Sequence, residues 1–131
     1  MNDIVKHLIP VGFYRELRGG KPHEPSLREA VQTIASPHKA NMIRYLNAGE
    51  LLIATGGVVN DVLDPTLGII GPPHILTDGT YAWPAILPHY VERYDVRFPD
   101  DFVFHMISNN WTVPSGIDVH SLKINRDLAR T

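Results

Sequence analysis

Apolar residues in this chain come in short runs, most of them cut by Gly or Pro within ten positions. Ile9 to Leu17 reads as a first strand, rich in β-formers and stopped by Arg18-Gly19-Gly20. The prolines of Lys21-Pro22-His23-Glu24-Pro25 bias their predecessors away from helix, which predicts a loop. Ser26-Leu27-Arg28-Glu29 then has the capping-box spacing, and Leu27, Ala30, Val31 and Ile34 supply one face of a helix. Ser36-Pro37 predicts a second helix start, with Met42, Ile43 and Leu46 as its apolar stripe and Gly49 as its stop. Leu51 to Thr55 is a compact strand ended by Gly56-Gly57. Val58 to Leu63 is a short strand or turn closed by Asp64-Pro65, and Ile69-Ile70 before Gly71-Pro72-Pro73 predicts an interrupted or edge strand.

The densest signal is Thr77-Asp78-Gly79-Thr80-Tyr81-Ala82-Trp83-Pro84. Asp78-Gly79 suits a two-residue type I′ turn, pairing Ile75-Leu76-Thr77 with Thr80-Tyr81-Ala82-Trp83 and placing Tyr81 and Trp83 on one face. Pro84 leads into a helix. Because Pro88 lacks an amide hydrogen, a tight opening turn with regular helix from about Leu87 is the consistent register, aligning Ile86, Tyr90 and Tyr94. A last helix begins near Pro99, where Asp100 and Asp101 complement the positive dipole end and Phe102, Val103, Met106 and Ile107 form the inner face. Beyond it Ile117, Val119, Leu122 and Ile124 alternate weakly, and the final polar residues are expected as a mobile tail. Together these elements predict an α+β fold: one domain over residues 1–131, with a central mixed or mostly antiparallel sheet and about four helices packed on it.

At 131 residues the chain can bury one core without metals or disulfides, and it has no cysteine, which removes thiolate nucleophiles and Cys-ligated zinc. No apolar run approaches the roughly 18 residues of a membrane span, and Met1-Asn2-Asp3-Ile4-Val5-Lys6-His7 has no signal-peptide pattern, so a cytoplasmic protein is expected. The net charge of −2 is uneven: residues 51–110 hold seven acids against Arg93 and Arg97, between mildly basic ends. This argues against nucleic acid as a direct partner and is compatible with a basic protein.

Seven histidines, at 7, 23, 38, 74, 89, 105 and 120, show no metal-binding spacing, so neither a metal nor a cofactor is expected. Asp100-Asp101 is explained by its helix start. Gly56-Gly57 lacks the phosphate-loop pattern, and Ser115-Gly116 lacks the context of a nucleophile elbow. No catalytic residue can be assigned. Tyr81, Trp83, Tyr90 and Tyr94 lack the interleaved basic residues of a base-stacking surface and read as core, with Tyr and Trp also suited to a protein interface.

The chain resembles a family of small bacterial proteins that neighbour polymorphic toxins, some of them similar to immunity proteins of contact-dependent growth inhibition systems. The resemblance runs through Phe13-Tyr14-Arg15-Glu16-Leu17, Ser26-Leu27-Arg28-Glu29-Ala30, Val58 to Pro65, Thr77 to Pro84, Tyr90-Val91-Glu92-Arg93-Tyr94 and Val96 to Phe102. It departs at Ile86, where the family tends to carry an acid before the helix leucine. The resemblance implies no catalytic motif. It implies a cytoplasmic binder that neutralises a cognate toxin domain, a basic nuclease, by occluding its active site or substrate groove. Asp61, Asp64, Asp78, Glu92, Asp100 and Asp101 are the candidate toxin-binding acids, with Tyr81 and Trp83 as anchors if exposed. The alternative is a small hydrolase or ligand-binding enzyme, whose mark would be a pocket gathering an acid with two or more of His74, His89 and His105.

Overall fold

The computed structural model describes residues 5–126. A five-stranded mixed sheet has the order β2-β5-β6-β1-β7, formed by β1 (Lys6–Pro10), β2 (Glu50–Ile53), β5 (Ile75–Thr77), β6 (Tyr81–Pro84) and β7 (Leu122–Ile124). β2, β5 and β6 pair antiparallel, whereas β1 lies parallel to both β6 and β7. A two-stranded sheet joins β3 (Val59–Asn60) to β4 (Ile69–Gly71). The helices are α1 (Leu27–Ala30), α2 (Lys39–Asn47), α3 (Leu87–Tyr94) and α4 (Asp100–Ser108). The expected α+β class is therefore found.

One core joins the helices to the sheet. Trp83, Tyr45, Tyr90 and Phe102 are fully buried, with Leu27, Leu46, Leu87 and Met106 around them. Trp83 gives its indole N–H to the Leu46 carbonyl at 3.1 Å, so the largest core residue also satisfies its one polar atom. Gly49 is required here for space. A Cβ there would stand 2.7 Å from the Trp83 ring and 2.9 Å from Leu76 Cβ.

Several boundaries differ from the sequence pattern. The first strand ends at Pro10 instead of Leu17, because Gly12 turns the chain at φ 76°. Val11, Phe13 and Tyr14 are still buried, so the apolar run past Pro10 reflects burial without a ladder. α1 stops at Ala30 because backbone bonds from distant segments replace its next turn: the Arg97 amide donates to the Ala30 carbonyl at 2.8 Å and the Gln32 amide to the Tyr94 carbonyl at 3.2 Å. Val31 and Ile34, expected on its inner face, are exposed. The two expected strands do pair antiparallel, but the turn sits one residue later and the register shifts with it, so that Thr77 faces Ala82 where an Asp78-Gly79 turn would place it opposite Thr80. Gly79 and Thr80 are its central pair, and only Gly79 has positive φ (92°), the pattern of a type II′ turn. α3 starts at Leu87 with Pro88 in its first turn, as the proline argument requires. The expected C-terminal tail falls largely outside the described residues.

Candidate functional site

Two buried aspartates organise the molecule, and they do so in the same way. Asp78 leads the hairpin turn and is 2% exposed. Its Oδ1 accepts the amides of Thr80 (2.9 Å) and Tyr81 (2.7 Å), while Oδ2 accepts the Tyr45 hydroxyl (2.6 Å) and His105 Nε2 (3.0 Å). Asp61, 1% exposed, follows β3. Its Oδ1 accepts the amides of Leu63 (2.7 Å) and Asp64 (2.9 Å), and Oδ2 accepts His89 Nε2 (2.7 Å) and the Tyr94 hydroxyl (2.8 Å). Each carboxylate thus closes a turn with one oxygen and with the other ties that turn to helix, Asp78 to α2 and α4 and Asp61 to α3. The short polar side chain suits this task because it can bond backbone two and three residues ahead.

Proton positions follow from these partners. Each carboxylate accepts from Nε2, so that nitrogen carries hydrogen in both histidines. His105 Nε2 therefore cannot also accept from Asn109 Nδ2, 3.3 Å away, and Asn109 donates to the Tyr45 hydroxyl at 3.0 Å. A relay from Asn109 through Tyr45 to Asp78 results. Burial by itself would raise the Asp61 pKa, but the bonds from His89, Tyr94 and the two amides outweigh it and hold the carboxyl below its usual range. Burial, then the bond to Asp78, pushes the Tyr45 hydroxyl up. Tyr90 is pushed up to about 12, mainly by burial, and its oxygen accepts the Val62 amide at 3.0 Å. These tyrosines stay protonated at neutral pH.

An Asp–His pair can orient a general base, and covalent catalysis then needs a hydroxyl or thiol for the base to act on. Among the described residues no Ser or Thr hydroxyl is bonded to the imidazole ring of His89 or His105, the Ser108 hydroxyl meeting only the His105 backbone carbonyl, and there is no cysteine. Nor do the described residues contain a group of three or more His, Asp or Glu that could hold a metal ion. Neither of two half-open clefts, about 750 and 480 Å³, is lined by His74, His89 or His105; Asp61 lines the larger of the two without any of them. The pocket that would mark a His/Asp enzyme is not assembled in either.

The eight candidate interface residues separate by burial. Asp61 and Asp78 are interior ligands of backbone and side chains, so their charges do not face a partner. Tyr81 and Trp83 lie in the core, at 6% and 0% exposure, because the hairpin turns both toward the helices. Asp64, half-buried, caps the 3-10 turn Pro65–Leu67 by accepting the Thr66 amide at 3.2 Å. Glu92, on α3, and Asp100 and Asp101, at the start of α4, are exposed.

The helix α4 departs from its expected pattern, because Ile107, placed on the inner face by the sequence, lies on the outer one. Phe102 and Met106 are fully buried, yet Phe104 is 66% exposed and Ile107 42%. Spacings of three and four residues put Asp100, Asp101, Phe104 and Ile107 along one outer face. The available signal was a helix apolar on more than one side, Phe102-Val103-Phe104 with Met106-Ile107. No helix among the described residues is long and apolar enough to cross a membrane. Comparison with protein-family models, curated proteins and solved structures returns no match.

Proposed function

We propose that this chain is an immunity protein that binds a basic toxin domain, a nuclease, through the outer face of α4 and covers its active site or substrate groove. The observation that carries the reading is the exposed Phe104, with Ile107 beside it and Asp100 and Asp101 one turn away. An exposed aromatic backed by a rigid, packed helix is the kind of anchor that dominates binding energy, because it loses little conformational freedom on docking. Acids flanking it speed encounter with a basic surface and disfavour acidic partners. A carboxylate pair can also occupy positions a nuclease keeps for phosphate oxygens.

The buried Asp–His pairs support the same reading indirectly. They fix the turn before β6 to α2 and α4, and the turn after β3 to α3, giving the binding face a rigid support. The test is co-purification with the toxin domain encoded beside this chain, followed by an assay of nuclease inhibition. Phe104→Ala and the double reversal Asp100→Lys with Asp101→Lys should each weaken inhibition. Binding that resists both changes would remove this face from the interface, and failure of the unaltered protein to bind or inhibit would remove the function.

A further inference from the structure

The 750 Å³ cleft lies between the two sheets, with walls that include Phe13, Val59, Ile75 and Ile86. Its size falls within the roughly 300–1,000 Å³ typical of small-molecule sites. Two of its polar side chains are already committed. Arg126 makes paired bonds of 2.5 and 2.9 Å to buried Glu24 and lies 4.6 Å over the Phe13 ring. Asp61 has two donors on each oxygen.

Among the side chains that keep unused capacity, two border the same turn, Thr55-Gly56-Gly57. The Arg18 guanidinium has a single long bond, 3.4 Å to the Gly56 carbonyl, and no carboxylate partner among the described residues. The Thr55 amide is satisfied by His74 Nδ1 at 3.0 Å, but its hydroxyl is buried with no partner. Gly57 keeps this corner open: a Cβ there would stand 3.3 Å from Arg18 Nη1. A guanidinium and a hydroxyl donor beside an apolar chamber match a carboxylate attached to an apolar body.

We infer that this cleft binds an apolar monocarboxylate, its headgroup held by Arg18 and the Thr55 hydroxyl and its body against the walls between the sheets. The site is separate from the α4 face and does not depend on the toxin-binding reading. Decanoate and 2-naphthoate, each with its matched alcohol, should be titrated by calorimetry into the full chain and into Arg18→Gln and Val58→Trp. Both positions are exposed, so the substitutions spare the core. At least one acid should saturate below about 1 mM. It should bind about tenfold tighter than its alcohol, and Arg18→Gln should remove that advantage while leaving the alcohol's affinity unchanged. Val58→Trp, at the cleft wall, should weaken acid and alcohol alike. Which acid binds identifies a chain or a ring as the body. Saturation by neither acid, equal affinity for acid and alcohol, or an Arg18→Gln variant that binds the acid normally would overturn the inference.

Discussion

Asp78→Ala is the sharpest test of how this fold is held. Four donors converge on the carboxylate: the amides of Thr80 and Tyr81, the Tyr45 hydroxyl and His105 Nε2. Water can replace the carboxylate for two of them, since Thr80 is half-buried and the His105 side chain is 22% exposed. The Tyr81 amide and the Tyr45 hydroxyl lie in buried residues, at 6% and 0% exposure. Each buried donor left unmatched costs about 1–3 kcal/mol, so the substitution should remove about 2–6 kcal/mol. That is a large share of the roughly 5–15 kcal/mol that holds a domain of this kind together. In urea unfolding the midpoint should fall by roughly 2 M at an ordinary slope. Asp78→Asn should cost less, because its carbonyl still accepts both amides and only the Tyr45 and His105 side is mismatched. A loss below about 1 kcal/mol for Asp78→Ala would refute the claim that this carboxylate fixes the hairpin to α2 and α4.

Acid should destabilise the protein through two carboxylates held below their usual pKa. At Asp61 and Glu16 burial raises the pKa but hydrogen bonds outweigh it, those to Glu16 coming from the Arg28 and Leu27 amides and the Ser26 hydroxyl. A lowered folded pKa gives stability that is complete above the unfolded value of about 4 and is lost as pH falls through the folded value. Unfolding free energy measured from pH 6 to pH 2.5 should decline below about pH 4, less steeply in Asp61→Asn and Glu16→Gln; unchanged slopes would contradict the assignment. Gly49→Ala should cost about 1–3 kcal/mol through its clash with Trp83 and Leu76, whereas Gly56→Ala, with no atom within 4 Å of the added carbon, should be close to neutral by thermal melting. Phe104→Ala should leave the melting temperature within a few degrees of the parent, since that ring is 66% exposed.

Local rules read well wherever one segment determined its own shape. Pro88 dictated that regular helix begin at Leu87, Pro99 and the acids after it marked the start of α4, and the Gly79 region joined β5 to β6 as a hairpin, though in a shifted register. The rules failed where distant backbone took over. The Ser26–Glu29 spacing did mark a helix start, but the Ser26 cap bond is long, 3.4 Å, and Glu16 supplies the stronger partners. α1 then ended early because Ala30 bonds Arg97. The Asp–His pairs were illegible for a related reason: they join residues 28 and 27 positions apart, and no period or motif links them. Acidity alone could not separate buried turn-closing aspartates from surface ones. Asp61 and Asp78 differ from Asp100 and Asp101 only in what folds over them.

The central claim, that the outer face of α4 binds and covers a basic toxin domain, is tested most directly by one affinity measurement. The purified chain and its Phe104→Ala variant are titrated by calorimetry against the product of the neighbouring gene, the proposed toxin. The account predicts tight one-to-one binding by the parent and a loss of at least about 2 kcal/mol, roughly thirtyfold in Kd, for the variant. Equal affinity for parent and variant, or no binding by either, would contradict it.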